Sequence, residues 1–141
     1  MVGQHTRNLD DKNRVILPPV FQEQLGNQFM VSIGFDGNAE LRSIEEFDKY
    51  RQNIESKSFF NKDVRKVTRF ILGNSFLATL DSVGRFSIPK KITTDLAIKK
   101  EITFVGMGSL VEIWAKEKFD AENAEISLSD MSALAEKISQ L

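Results

Sequence analysis

Cysteine is absent from this 141-residue chain, and histidine occurs only once, as His5. The first absence removes disulfides, thiolate nucleophiles and zinc–thiolate sites. The second leaves a histidine-based metal site or catalytic triad without enough partners. No phosphate-binding loop or dinucleotide fingerprint is present either, and no pair of carboxylates stands out from the rest. Nothing calls for a cofactor, a metal or a small-molecule substrate, and the chain is not expected to be an enzyme. No apolar run approaches the ~20 residues that a membrane helix needs. The opening Met1-Val2-Gly3-Gln4-His5 lacks the basic-then-apolar pattern of a secretion signal. The expected location is the cytoplasm, away from membranes.

Charge of one sign is also missing, since 19 Lys and Arg face 20 Asp and Glu, for a net charge of -1. Taken alone, that argues mildly against nucleic acid as a partner. The distribution reverses the argument. Residues 117–141 hold Glu117, Asp120, Glu122, Glu125, Asp130 and Glu136 against Lys118 and Lys137, a charge of -4, which leaves +3 on residues 1–116. An acidic tail conceals a modestly basic body. With 41% hydrophobic and 28% charged residues, the composition is that of a folded globular chain.

What the chain does have is an internal repeat. Asn8-Leu9-Asp10-Asp11-Lys12-Asn13-Arg14-Val15-Ile16-Leu17-Pro18 is answered by Thr79-Leu80-Asp81-Ser82-Val83-Gly84-Arg85-Phe86-Ser87-Ile88-Pro89, with Leu, Asp, Arg and Pro at a constant offset of 71. Gly34, Glu40 and Phe47 then answer Gly106, Glu112 and Phe119 at an offset of 72, as if one residue were inserted between the blocks. Matches held in one order over so long a stretch indicate duplication.

Each copy has the same grammar. An extended run (Thr6–Leu9; Phe76–Leu80) meets a tight turn. A second run (Val15–Leu17; Phe86–Ile88) stops at a proline, which cannot donate to a strand ladder. A short helix is expected at Val20–Leu25 and at Ile92–Leu96. Two strands follow in each copy, Phe29–Ile33 with Ala39–Arg42 and Ile102–Val105 with Val111–Trp114, joined by glycine-rich turns. Ser43 and Glu46 form a capping-box pattern before the helical stripe of Ile44, Phe47 and Ile54. A linker helix is expected over Lys62–Leu72, capped by Asn61 and stopped at Gly73. Leu128, Met131, Leu134, Ala135 and Ile138 give the tail an amphipathic stripe, read as a packed helix or else as a partner contact.

A half of ~70 residues buries too little apolar surface to be comfortable alone. The expected fold is therefore α+β, mainly β. Two hairpin modules interleave as an intrachain pseudo-dimer around one barrel-like core, with flanking helices. The expected division is a first repeat over 1–60, a linker helix over 61–74, a second repeat over 75–119 and an acidic tail over 120–141, with both repeats sharing one core. The two Asp-x-x-x-Arg turns would then be related by a pseudo-twofold axis and lie on one surface.

Within each turn, Asp10 and Asp81 can accept from backbone N–H groups. Asn13 and Gly84 suit a left-handed position. Arg14 and Arg85 have two readings. One is an ion pair that locks the turn, worth only ~0–1 kcal/mol if exposed. The other is presentation of guanidinium groups to guanine edges in a major groove. Lys12 supports the second reading, and Arg7 would widen the cationic patch unless it is simply a solvated arginine. Lys62, Arg65, Lys66 and Arg69 share one helix face, either solvated or turned toward phosphate or a second subunit. Trp114 is expected in the core or at an interface.

With these residues in place, the chain resembles the MraZ family of bacterial regulators, over roughly His5 to Phe119. The resemblance rests on Asp10–Arg14 with Pro18, Asp81–Arg85 with Pro89, the basic-apolar stretch Arg65–Gly73, and Gly106 through Trp114. It implies a duplicated AbrB-like swapped-hairpin fold, assembly into a homo-oligomer (often a ring), and nucleoid-associated binding to double-stranded DNA at short G-rich repeats upstream of a division and cell-wall gene cluster. It also implies DNA contacts at Lys12, Arg14 and Arg85. The chain departs from the family turn, Asp-x-Lys-Gly-Arg, at Asn13 and at Val83, so the first turn is expected to dominate. An antitoxin-like protein-binding module is the alternative reading, favoured by the amphipathic tail and disfavoured by the duplication.

Overall fold

The computed structural model describes residues 1–124 and 126–141; Glu125, counted above in the acidic tail, lies outside them. Eight strands and six helices alternate along the described residues. The first copy supplies β1 (Gln4–Asn8), β2 (Arg14–Ile16), α1 (Pro19–Leu25), β3 (Gln28–Ile33), β4 (Ala39–Ser43) and α2 (Ile44–Glu55). After α3 (Lys62–Gly73) the order recurs as β5 (Phe76–Thr79), β6 (Arg85–Ser87), α4 (Lys90–Asp95), β7 (Glu101–Gly106), β8 (Val111–Ala115) and α5 (Lys116–Asn123), with α6 (Leu128–Ile138) closing the chain.

The strands pair across the repeats. The main sheet has the order β1-β7-β8-β4-β3-β5, and β2 pairs with β6 in a separate two-stranded ribbon. Exchanging the copies reads the main order backwards into itself, which is the signature of a pseudo-twofold axis. The registers locate that axis. In the main sheet Glu40 stands opposite Glu112, its own counterpart, and in the ribbon Val15 stands opposite Phe86, its own counterpart. β1 and β5 are exchanged between halves, β1 onto β7 and β5 onto β3. The core follows from this exchange. Phe86 packs edge-on against Phe29 of the first copy, at 5.1 Å between centroids, and against Phe104 of the second, at 6.4 Å.

Four expectations need correction. First, the core is not a closed barrel: the main sheet is open, with β1 and β5 as its edges. Second, the fold is α+β but not mainly β, because the helices hold more residues than the strands. Third, the strands flanking each Asp-x-x-x-Arg turn do not form a hairpin with each other. The turn carries the chain from the main sheet into the ribbon, and each partner strand comes from the other copy. Fourth, the repeat offset does not change by one insertion. Register equates Phe29 with Ile102 and Val31 with Phe104, an offset of 73, before β4 and β8 return to 72. Two residues are gained before β7, at Ile98-Lys99, and one is lost in the following turn, so Gly106 matches Ile33 and not Gly34.

The helices form for local reasons. Pro18 and Pro89 end their strands and serve as N-caps of α1 and α4, since a fixed φ suits a helix entry. Ser43 Oγ accepts the Glu46 N–H at 3.1 Å, and Asn61 Oδ1 accepts from Asp63 and Val64. Helices α2, α3 and α5 lie on the face of the sheet away from the ribbon. There Arg42 bonds Glu40 at 2.8 Å, reaches Ser32 Oγ and stacks 3.7 Å from the Tyr50 ring centroid. At the equivalent position Trp114 is buried, donates to Glu112 at 3.1 Å and packs on Phe119. Helix α6, by contrast, buries none of its residues, so the stripe expected to pack is exposed.

Candidate nucleic-acid interface

The two turns are nearly superimposable in their bonding. In the first, the Asp10 N–H donates to Arg14 O (2.8 Å) and the Asn13 N–H donates to Asp10 O (3.1 Å). In the second, the Asp81 N–H donates to Arg85 O (2.8 Å) and the Gly84 N–H to Asp81 O (3.0 Å). Asp10 Oδ1 accepts the N–H groups of Lys12 (2.9 Å) and Arg14 (2.8 Å), as Asp81 Oδ1 does those of Val83 and Arg85, both at 2.9 Å. This is the turn role expected of both aspartates. Asn13 and Gly84 take positive φ, 56° and 88°, the left-handed position for which both residue types suit.

The other carboxylate oxygen holds the arginine. Arg14 Nε donates to Asp10 Oδ2 at 2.9 Å, and Arg85 Nε to Asp81 Oδ2 at 2.8 Å. Contact is through Nε alone. Neither guanidinium has an Nη bond among the described residues, so the two-pronged outer edge of each remains available. The locking and DNA-reading roles are thus compatible, because the aspartate fixes the arginine by one edge and leaves the other outward. Both side chains are part-exposed, at 28% and 30%.

Ribbon geometry places them together. Arg14 stands opposite Ser87 and Arg85 opposite Ile16, while Val15 and Phe86 between them are buried. Alternation therefore puts Arg14, Ile16, Arg85 and Ser87 on the outer face of the ribbon. The Cα atoms of the two arginines are two residues apart along the strands, roughly 7 Å, and about one strand spacing across. Arg7 is not brought into this arrangement by any bond: its Nη1 donates to Thr6 O of its own strand at 2.9 Å.

The surroundings of the turns differ. The Leu9 N–H donates to Lys100 O (2.7 Å) and the Ile88 N–H to Asn13 O (2.8 Å). These bonds bring Lys99-Lys100 and the segment leading to Lys90 against the first turn, and these lysines are exposed, whereas Lys91 turns away to Asp95 at 3.0 Å. In the second copy the equivalent bonds run from Leu80 to Asn27 (2.9 Å) and from Leu17 to Gly84 (3.0 Å), so Asn27 and the Pro18-Pro19 segment stand in their places. The first turn has Lys12, beside Asp11, with Lys99 and Lys100 near it, whereas the second has Val83, with Asn27 and Pro18-Pro19 in the corresponding places. Sequence reading missed these lysines. Aligning the repeats residue by residue from Pro18 and Pro89 onward exposes the contrast.

Electrostatics keep both aspartates ionised. The Arg85 backbone N–H, then the Arg85 side chain, the Val83 N–H and the Arg85 charge, outweigh the opposing effect of burial and hold Asp81 at about 2, below the usual 3.8. Asp10 is lowered in the same way, first by the Arg14 N–H. A depressed carboxylate contributes its stability in full above the unfolded value and loses it as pH falls through the folded one. The second turn should therefore hold down to about pH 4 and loosen between there and about pH 2. Carboxyl NMR titration should give an Asp81 midpoint well under 3.8; a midpoint at that value would remove the bonding pattern from the solution structure.

A family model described as "MraZ protein, putative antitoxin-like" matches twice, over residues 1–70 and 71–140. Three similar proteins, each named "Transcriptional regulator MraZ", span nearly the whole length. The one from Mycoplasmopsis synoviae (strain 53) is 42% identical, covering 96% of this chain and 95% of its own. That from Mesoplasma florum (strain ATCC 33453) is 38% identical, covering 98% and 94%. That from Ureaplasma parvum serovar 3 is 37% identical, covering 97% and 95%.

Proposed function

The chain belongs to the MraZ family, and on that footing we propose that it is a DNA-binding transcriptional regulator that reads short G-rich repeats upstream of its own division and cell-wall gene cluster. Its relatives are named as regulators and not as enzymes. It acts in the cytoplasm, on the nucleoid, as a homo-oligomer. No helix among the described residues is long and apolar enough to cross a membrane.

The observation that carries this reading is the pair of arginines held by Nε at the two turns. A guanidinium fixed along one edge offers the other as a planar pair of donors, which matches O6 and N7 of guanine. Two such groups on one ribbon face suit a run of guanines better than an isolated phosphate. Backbone contacts from Lys12 and from Lys99 and Lys100 set the register. In this scheme the repeats (1–60 and 75–119) read DNA, and the linker (61–74) and tail (120–141) serve assembly. The deciding experiment is a footprint of the protein on the DNA upstream of its own gene. Protection over G-rich repeats is expected, and uniform weak coverage would overturn the reading.

The two turns should contribute unequally. Lys12→Ala should weaken binding severalfold and flatten its salt dependence by about one phosphate contact, whereas Val83→Ala should leave both unchanged. Equal effects in parallel titrations would show that the turns share the work. A protein-binding, antitoxin-like role is the second reading, favoured by the exposed stripe of α6. It predicts an unchanged partner complex when both arginines are removed.

A further inference from the structure

Of the side chains on the outer face of the ribbon, Arg14, Ile16, Arg85 and Ser87, only Ile16 is apolar. It is 42% exposed, beside neighbours that are charged or polar. The duplication supplies an internal control. Strands β2 and β6 are copies of one strand, and the place of Ile16 in the first is that of Ser87 in the second. The fold accepts serine there, so the ribbon itself does not call for isoleucine. We infer that Ile16 is a specificity-determining residue, which packs against the C5-methyl group of a thymine beside the guanine read by Arg85. The inference rests on the reading of this chain as a DNA-binding regulator and adds a second base to it.

The strand ladder sets the distance. The Leu17 N–H donates to Gly84 O at 3.0 Å, and the Ile88 N–H to Asn13 O at 2.8 Å. Hydrogen-bonded and non-hydrogen-bonded pairs alternate along an antiparallel ladder. Ile16 opposite Arg85, and Arg14 opposite Ser87, are therefore pairs of the close, non-hydrogen-bonded kind. Their Cα atoms lie about 4.5 Å apart, with side chains next to one another. Successive bases of one strand are spaced by about 3.4 Å. A guanidinium on a guanine thus leaves Ile16 over a neighbouring base. Asp81 holds Arg85 Nε at 2.8 Å, which fixes the guanidinium fork relative to Ile16.

Chemistry selects that base. In the major groove thymine presents a methyl group, whereas guanine, adenine and cytosine present donors and acceptors. An isoleucine pressed on those polar edges strips their water and returns no hydrogen bond, which is unfavourable. Against the methyl it removes apolar surface from water on both sides. The methyl also projects into the groove, which suits a side chain shorter than arginine. Ser87, beside Arg14, makes no such choice, since a hydroxyl can bond to either kind of polar edge. The ribbon is pseudo-symmetric in its backbone and asymmetric in what it reads. Lys12 adds affinity at the first turn, and Ile16 adds identity beside the second arginine.

The test removes one methyl group from the DNA at a time. Each thymine of the footprinted repeat is replaced singly by deoxyuridine, and affinity is measured at fixed salt for the wild type, Ile16→Val and Ile16→Ser. For the wild type and Ile16→Val, one substitution next to a guanine should cost roughly fourfold per engaged site, the worth of one methyl lost from contact. Ile16→Ser should bind the unmodified repeat more weakly by a similar factor and ignore deoxyuridine at that position. Circular dichroism and light scattering should match for all three proteins. A wild type indifferent to every substitution overturns the inference, as does a protected repeat with no thymine beside a guanine. It is also overturned if Ile16→Ser keeps the wild-type sensitivity, or if its mass falls, which would make Ile16 a subunit contact. None of these outcomes touches the guanine contacts, which preference for G-rich over scrambled DNA tests separately.

Discussion

Replacing Arg14 with alanine is expected to abolish specific DNA binding while leaving fold and assembly intact. The loss follows from geometry. Arg14 Nε is committed to Asp10, so its outer edge is the part offered to a base. A bidentate contact to guanine is worth about 1–3 kcal/mol of discrimination, or roughly 5–150-fold, at each engaged protomer. The fold should survive because Asp10 still accepts the backbone N–H groups of residues 12 and 14, and a part-exposed ion pair contributes only ~0–1 kcal/mol. Arg14→Lys sharpens the test. It keeps the charge but lacks the planar fork, so weak salt-sensitive binding should return without preference for G-rich sequence. Fluorescence anisotropy on specific and scrambled DNA, beside circular dichroism and size-exclusion, reads all three properties. Wild-type affinity in the alanine variant would overturn the contact.

The turns were legible in the sequence because their chemistry is local. An aspartate that accepts from the residues two and four places on, a residue of left-handed tendency and an arginine all lie within five positions, and the same set recurs 71 residues later. The helix caps at Ser43 and Asn61 were legible for the same reason. Strand partnership was not. A turn between two extended runs suggests a hairpin, yet β1 pairs with β7 and β5 with β3, a choice made by burial in the shared core and not by the turn. The open sheet escaped notice as well, since duplication implies a twofold axis but does not say whether the edge strands meet. The tail misled in the other direction. Periodicity shows that α6 has an apolar face, but it does not say whether another element of the fold covers that face, and none does among the described residues. The lysines beside the first turn were hidden because only the bonds Leu9–Lys100 and Ile88–Asn13 bring them there.

Assembly carries the largest expected effect on binding. One protomer is near neutral overall, with +3 on residues 1–116, and only a minority of its cations stand beside the two turns. Neutralising so few phosphates yields weak, salt-sensitive binding. Tight binding therefore requires several protomers on several short sites of the same DNA. Linking sites in this way raises apparent affinity ~100–10,000-fold when geometry lets all contacts form together. The protein should accordingly prefer tandem sites at fixed spacing to one isolated site. Spacing should matter because, in the proposed assembly, neighbouring protomers would present their ribbons from one side, and a shift of half a helical turn would carry the next site to the opposite side of the duplex. The measurement uses fragments with one, two or three sites, with the gap varied through one helical turn, titrated at a fixed salt concentration. Affinity should climb with site number and rise and fall with the gap. If one site binds as tightly as three, or if the gap has no effect, the protein reads DNA as an independent monomer and the cooperative scheme is wrong.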